Sequence, residues 1–215
     1  MPQHGARVLE GGAPLPEAAG AAILVHGRGA SAEDIMLLGR ELAMPGIAYL
    51  APQAAGNTWY PNRYSAPIEA NEPWLSAALA ALERVLGRVG EFVPAERTVL
   101  LGFSQGACLT LEFAARHARR YGAVVGLSGA VIGPRGTPRE YPGSLAGTPV
   151  FLGCSDVDPH VAADDVRAAA EVLRGLGGDV TLRLYRGLGH EVNVDELEHV
   201  RGLLTALLPK GPTGT

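Results

Sequence analysis

One serine of this chain lies in a pattern that is typical of enzyme nucleophiles. The segment GFSQG (102–106) matches G-x-S-x-G and overlaps the end of the apolar run TVLLGF (98–103). In a nucleophile elbow, a tight turn between a strand and a helix lifts the serine hydroxyl above the sheet, and the glycines leave room for that turn. The pattern alone arises easily in a chain with 29 glycines. Its position between an apolar run and a helical pattern is what predicts Ser104 as a nucleophile.

A serine hydroxyl is a weak nucleophile until a neighbouring base accepts its proton. His190 lies in the segment LGHE (188–191), after the apolar run VTLRLY (180–185) and before the last helical pattern. In enzymes with a nucleophile elbow, the serine comes first along the chain, the acid second and the histidine last. His190 fits this order, because it lies after Ser104. We therefore predict His190 as the general base. Four other histidines are given no catalytic role: His4, His26, His117 and His199.

The acid that orients the histidine is predicted in the segment SDVDPHV (155–161), which follows the strand-like run PVFLGC (149–154). Two carboxylates are present there, and the residue pattern leaves both open. Asp158 is favoured because it precedes Pro159, a residue that suits the first turn of a helix. Asp156 would then lie within the loop, where aspartates commonly form turns.

An oxyanion hole requires two backbone N–H groups that point at the same atom. The residue after the nucleophile, Gln105, is predicted to supply one of them. The glycine-rich loop HGRG (26–29) follows the first buried strand, AAILV (21–25). We predict that the N–H of Arg28 in this loop is the second donor.

The loop between residues 53 and 73 is predicted to form a wall of the substrate cleft. It contains three aromatic residues that are predicted to bind substrate, Trp59, Tyr60 and Tyr64. The alternative is that these rings pack the loop against the core, and the sequence does not decide between the two.

Short aliphatic runs alternate with longer helical patterns along the whole chain. Such alternation predicts an α/β fold with a mostly parallel central sheet flanked by helices. No insertion is long enough to form a cap domain, so we predict one domain over residues 1–215 with its core at about 21–208. The tail from Pro209 to Thr215 is expected to fray. The predicted strands are 6–12, 21–27, 47–52, 98–103, 122–129, 149–154 and 180–185, and Ser31 and Asn193 are predicted helix caps.

Composition excludes several classes of function. The 215 residues are 47% hydrophobic and 19% charged, which excludes a disordered chain. A net charge of −4 provides no basic face for nucleic acid, and no run of 18 apolar residues predicts a membrane span. Metal-ligand clusters such as H-E-x-x-H and nucleotide-binding glycine patterns are not found, so no metal and no cofactor are predicted.

Two cysteines, Cys108 and Cys154, do not form a disulfide framework. The N-terminus shows no basic segment followed by an apolar run, so a signal peptide is not expected. Cytoplasmic localisation is the resulting expectation. The sequence carries no information on oligomeric state, so a homodimer stays open.

Four segments of the chain together resemble the phospholipase/carboxylesterase family of α/β-hydrolases, which includes the acyl-protein thioesterases. The resemblance covers residues 21–208 and implies the α/β-hydrolase fold. It also implies Ser104 as nucleophile, His190 as base and Arg28 as oxyanion donor, and it supports Asp158 over Asp156. The segments are LVHGRGA (24–30), GFSQGA (102–107), SDVDPHV (155–161) and GLGHEV (187–192).

The resemblance implies a carboxylesterase or lysophospholipase-like enzyme that hydrolyses small-molecule esters without a cofactor. Residues 57–74 resemble a bacterial subgroup more than the eukaryotic thioesterases. The resemblance is therefore not taken to imply protein deacylation for this chain. A thioesterase or lactonase using the same residues, and a non-catalytic ligand-binding module, are the alternatives. The physiological substrate and its acyl chain length are not predicted.

Overall fold

Seven strands and five α-helices alternate along residues 2–209, the part of the chain that the computed structural model describes. Residues 210–215 of the tail expected to fray lie outside the described residues. Four short 3₁₀ turns lie at Leu15–Glu17, Ala55–Asn57, Ile68–Asn71 and Ala95–Arg97. In chain order the elements are β1 (Val8–Gly12), β2 (Gly20–Val25), α1 (Ala32–Glu41), β3 (Ile47–Pro52), α2 (Trp74–Gly90), β4 (Thr98–Phe103), α3 (Gln105–Arg116), β5 (Ala123–Leu127), β6 (Pro149–Ser155), α4 (Ala163–Gly175), β7 (Asp179–Tyr185) and α5 (Val194–Thr205).

The seven strands form one sheet in the order β1-β3-β2-β4-β5-β6-β7. The edge strand β1 pairs antiparallel with β3, and all other neighbours are parallel. The central strands are apolar along nearly their whole length because helices cover both faces of the sheet. The predicted α/β fold with a mostly parallel sheet is confirmed.

Two hydrophobic cores lie on the two faces of the sheet. Helices α2, α3 and α4 cover one face, and helices α1 and α5 cover the other. Alternate residues of β2 point to opposite cores, with Ile23 on the first face and Leu24 on the second. This double covering fixes the sheet, so the loops at the carboxyl ends of the parallel strands are held on a rigid base.

Both predicted helix caps are confirmed. The Ser31 hydroxyl accepts the amide N–H of Asp34 at the start of α1. The Asn193 side chain accepts the amide N–H of Glu196 at the start of α5, and the Glu196 carboxylate accepts the N–H of Asn193 in return. The second cap matters for the site, because Asn193 lies three residues after His190.

None of the helices described between residues 2 and 209 is long and apolar enough to cross a bilayer.

Candidate active site

Ser104 lies in a strained turn between β4 and α3. Its backbone has φ 55° and ψ −119°, a region that residues other than glycine rarely occupy. The amide N–H of Ser104 donates to the carbonyl of Leu127 in the neighbouring strand β5, at 2.9 Å. The turn therefore has the geometry of a nucleophile elbow.

Close backbone packing around the elbow explains its two glycines. A Cβ atom on Gly102 would lie 2.3 Å from the carbonyl oxygen of Gly106. A Cβ atom on Gly106 would lie 2.1 Å from the carbonyl oxygen of Val25 in β2. Neither position has room for a side chain, so helix α3 approaches β2 and β4 more closely than any other residue would allow.

The structure brings together three of the residues that the sequence singled out. His190 Nε2 lies 2.9 Å from the Ser104 hydroxyl oxygen, and His190 Nδ1 lies 2.7 Å from Asp158 Oδ2. Because an ionised carboxylate only accepts hydrogen bonds, Nδ1 carries a proton and Nε2 is left to accept the serine proton. Ser104, Asp158 and His190 follow β4, β6 and β7, so all three lie at the same edge of the sheet.

Asp158 is buried and fully hydrogen-bonded. Its Oδ1 accepts the amide N–H groups of His160 at 2.8 Å and Val161 at 3.0 Å, while Oδ2 faces His190. Burial alone would raise the pKa of Asp158, but the hydrogen bonds from His190 and from the two amides outweigh it and lower the pKa. The carboxylate is therefore ionised at neutral pH.

Asp156, the alternative acid, has a different position. Its Oδ1 accepts the amide N–H of Gly187 at 2.8 Å, and its own N–H donates to the carbonyl of Tyr185. These contacts hold the loop after β7, which carries His190, against the loop after β6. Asp156 thus binds a backbone amide of the neighbouring loop and not the imidazole of His190.

Cys154 lies behind the acid. Its Sγ is 3.7 Å from Asp158 Oδ2, and the residue is fully buried. Burial, together with the Asp158 charge, raises the pKa of the thiol to about 12, so Cys154 is a neutral donor. Along the sequence Cys154 ends a strand just before the acid loop, where a cysteine can belong either to the core or to the site.

The two predicted oxyanion donors lie on either side of Ser104. Gln105 is the first residue of α3, where amide N–H groups have no partner within the helix. Arg28 follows Gly27, where an added Cβ would lie 3.4 Å from Ser104 Cβ. Within residues 2–209, neither amide N–H has a hydrogen-bond acceptor, so both are available to a ligand at the serine.

A cleft of about 640 Å³ opens above Ser104 and His190. Tyr60 and Tyr64 contribute to its lining, although Tyr60 is almost wholly buried and Tyr64 is the more exposed of the two. Arg63, Cys108 and His160 also line it, and no sequence pattern identified these three as site residues. The other lining residues are Gly27, Arg28, Ala30, Pro61, Asn62, Phe103, Ser104, Gln105, Val161 and His190.

The prediction that Trp59 binds substrate needs correction. Its side chain is fully buried, and its Nε1–H donates to the carbonyl of His26 at 2.8 Å. The indole contacts the rings of His4 and His26, with ring centres 5.5 and 5.0 Å away. Trp59 therefore packs the wall against the core, which is the alternative that the sequence left open.

Polar side chains hold the rest of the wall in place. The Gln105 amide accepts the N–H of Trp59 at 3.0 Å and donates to the carbonyl of Tyr60 at 2.8 Å. The Tyr64 hydroxyl donates to Asp165 at 2.7 Å and accepts the amide N–H of Ala162 at 3.3 Å. The wall is thereby joined to the nucleophile helix at one end and to the start of α4 at the other.

No group of three His, Cys, Asp or Glu side chains between residues 2 and 209 is placed to hold a metal ion.

The chain resembles known hydrolases in sequence and in structure. Residues 12–208 match a family model described as phospholipase/carboxylesterase. The crystal structure of a phospholipase/carboxylesterase from Dyadobacter fermentans is 36% identical, covers 95% of this chain and 99% of its own, and superposes with a TM-score of 0.90.

Curated relatives match over a shorter stretch. Acyl-protein thioesterase 1 from Gibberella zeae is 32% identical over 123 residues, which are 53% of this chain and 49% of that protein. Esterase YpfH from Escherichia coli is 33% identical over 119 residues, which are 55% of this chain and 48% of that protein. The match to this chain spans about half the length of these curated relatives.

Proposed function

The chain belongs to the phospholipase/carboxylesterase family, and on that basis we propose that it hydrolyses carboxylic esters through an acyl-enzyme on Ser104. The observation that carries this proposal is the continuous hydrogen-bonded chain from the Ser104 hydroxyl through His190 to Asp158. Such a chain is the arrangement that activates a serine for attack on an acyl carbon.

In the first half of the reaction, the Ser104 oxygen attacks the ester carbonyl carbon while His190 Nε2 takes the hydroxyl proton. The carbonyl oxygen becomes an oxyanion, and the N–H groups of Arg28 and Gln105 donate to it. Asp158 stays ionised and stabilises the imidazolium that forms. The bond to the alcohol oxygen then breaks, and His190 gives its proton to the departing alcohol.

In the second half, water replaces the alcohol. His190 removes a proton from the water, which attacks the acyl carbon of the ester on Ser104. The second tetrahedral intermediate collapses, the acid leaves, and the proton returns to the Ser104 oxygen. The strained backbone at Ser104 supports this role, because residues with such backbone angles are concentrated at active sites.

The proposal is tested with 4-nitrophenyl esters of increasing acyl length. Ser104→Ala should lower kcat/KM by at least about 10⁴-fold, because the residue that forms the covalent intermediate is lost. Ser76→Ala is the matched control, since Ser76 lies on α2 outside the cleft. Wild-type activity in a folded Ser104→Ala protein would contradict the proposal.

Thioester hydrolysis is a second candidate, favoured by the names of several curated relatives. The same residues can cleave a thioester, since the thiolate is a good leaving group. An acyl-CoA of the preferred acyl length, assayed beside the matching 4-nitrophenyl ester, separates the two activities. A non-catalytic binding module would hydrolyse neither.

A cytoplasmic location is also proposed. It is supported by two buried free thiols, Cys108 and Cys154, which suit a reducing compartment.

A further inference from the structure

The cleft above Ser104 has a charge that contrasts with the rest of the chain. The chain has 22 acidic and 18 basic residues. Of the cleft-lining residues, however, two are arginines and none is an aspartate or glutamate. The Asp158 carboxylate is buried behind His190, where it bonds to the imidazole and to two backbone amides. A positively charged cleft in an acidic protein attracts anions.

The Arg28 guanidinium is held in one position on the cleft wall. Nη1 donates to the carbonyl of Pro61 at 2.9 Å, and Nη2 donates to the carbonyl of Asn62. The guanidinium carbon also lies 5.9 Å above the ring centre of Tyr60. All of these partners are neutral, so the positive charge is oriented without being compensated.

Arg63 provides a second positive charge on the same wall. It follows Asn62, whose carbonyl accepts a hydrogen bond from Arg28, so the Arg28 guanidinium is bound to the residue next to Arg63. Among the described residues 2–209, the Arg63 guanidinium forms neither an ion pair nor a hydrogen bond. Arg135, on another loop, shows the usual alternative, because it pairs with Asp165.

We propose that the ester substrate carries a second group that is anionic, a carboxylate or a phosphate, which binds to Arg28 and Arg63. This inference rests on the proposed hydrolase function and specifies the substrate class of the same cleft. Guanidinium groups bind carboxylates and phosphates through paired, charge-assisted hydrogen bonds. The anionic group lies on either the acyl or the alcohol part of the ester.

Two pairs of esters test this inference and distinguish the acyl part from the alcohol part. The acyl pair is 4-nitrophenyl hydrogen adipate and the neutral 4-nitrophenyl heptanoate. The alcohol pair is 4-acetoxybenzoate and the neutral 4-acetoxybenzamide. Each kcat/KM is divided by the rate of hydroxide-catalysed hydrolysis of the same ester, which removes differences in intrinsic reactivity.

We expect the protein to prefer the anionic ester of at least one pair by about tenfold at low ionic strength, with the preference falling as salt is added. Arg63→Gln should abolish that preference. Arg40→Gln, which removes an exposed guanidinium outside this cleft, should preserve it. The pair that shows the preference identifies the part of the ester that carries the anion.

Three results would overturn the inference while leaving the hydrolase function intact. These are equal or faster hydrolysis of the neutral ester in both pairs, an unchanged preference in Arg63→Gln, and an equal loss of preference in Arg40→Gln. Hydrolysis of none of the four esters by the folded protein would instead contradict the proposed function, and this inference with it.

Discussion

The elbow (residues 102–106) and the wall loop (residues 53–73) face each other across the cleft and are held in place by different means. The elbow is fixed by backbone packing, with Gly106 against the carbonyl of Val25 and Ser104 bonded to Leu127 in the adjacent strand. The wall loop has no strand partner. Backbone N–H groups of other loops, among them those of Gly29 and Gly133, donate to its carbonyls, and most of its other bonds to the rest of the chain involve side chains, among them those of His4 and Gln105.

Because of this difference, the groups that react with the substrate and the groups that select it are held in place independently. Backbone packing in the sheet tolerates almost no change, so the reacting groups are fixed by the fold itself. Polar side-chain contacts can be replaced one at a time, so the shape and charge of the opposite wall can change while the reacting groups stay in place. We therefore expect substitutions in the elbow to abolish turnover or folding. Substitutions that affect the wall loop should alter KM and stability by smaller amounts.

The largest effect is expected at the acid. Asp158→Asn should lower kcat by about 10⁴-fold, because the amide favours the wrong tautomer of His190 and cannot stabilise the imidazolium. Asp156→Asn is the matched control, since Asp156 accepts only a backbone amide of the next loop, and its kcat should fall by less than about tenfold. Steady-state kinetics on one 4-nitrophenyl ester gives both values. A larger loss in Asp156→Asn would reverse the assignment.

At the elbow, Gly106→Ala should lower the free energy of unfolding by about 4 kcal/mol or more, because the new Cβ meets backbone oxygens that cannot move away. Gly87→Ala is the control. Gly87 lies in α2 with open space around it, so alanine should raise the free energy of unfolding by about 0.5–1 kcal/mol. Urea denaturation measures both. Similar values for the two variants would mean that the elbow is not tightly packed.

Where the elbow contacts the wall loop, Gln105→Ala should lower the free energy of unfolding by about 2–4 kcal/mol, because it leaves the buried N–H of Trp59 and carbonyl of Tyr60 without partners. We expect KM to rise more than kcat falls, since the backbone N–H of residue 105 is retained. Gln3→Ala, at an exposed glutamine, should change neither quantity. A fall in kcat alone would show that this side chain belongs to the chemistry.

The last expected effect is a pH dependence of the wall. His4 is buried, and its Nδ1 accepts the N–H of Ala55. Burial, with Arg84 and His26 nearby, lowers the pKa of His4 from 6.5 to about 4. Between these values the unfolded chain binds more protons than the folded one. Stability from His4 is therefore present above pH 6.5 and is lost as the pH falls towards 4, by about 3 kcal/mol.

His4→Gln isolates this contribution, because glutamine still offers an acceptor to Ala55 but does not titrate. Burial also lowers the pKa of His26, which acts in the same direction, and raises that of Glu196 to about 7, which acts in the opposite direction. Those two groups are common to both proteins, so the difference between wild type and variant reports His4. Urea unfolding at several pH values between 7 and 4 should show a shallower pH dependence for His4→Gln. Identical slopes would contradict the assignment.

Strands and the elbow could be predicted because their signals are local. The runs 47–52 and 98–103 coincide with β3 and β4, since buried parallel strands read as continuous apolar segments. The helical pattern of residues 161–176 predicts a helix that begins at Val161. Helix α4 begins at Ala163 instead, because the N–H of Val161 donates to Asp158 and keeps the preceding turn open. That contact depends on the acid loop and has no signature in the helical periodicity.

The sequence predicts which residues form the wall loop, but not which of their side chains face the cleft or what holds them. His4 contacts Ala55, 51 positions away, and Gln105 contacts Trp59, 46 positions away. No local pattern reports such contacts. A tryptophan in a loop can equally face the cleft or the core, and only the tertiary structure decides that Trp59 faces the core. That Arg63 has no partner among residues 2–209 likewise depends on which carboxylates the fold brings near it.

The central claim is that Ser104 is a nucleophile activated by His190, and its most direct test is covalent labelling with a fluorophosphonate. The serine oxygen displaces fluoride from phosphorus, so a reactive serine acquires one stable adduct. Mass spectrometry of the digested protein should find a single label on the peptide that contains Ser104, and His190→Ala should slow labelling by at least about 100-fold. A folded protein that stays unlabelled, or a label on a different residue, would contradict the account.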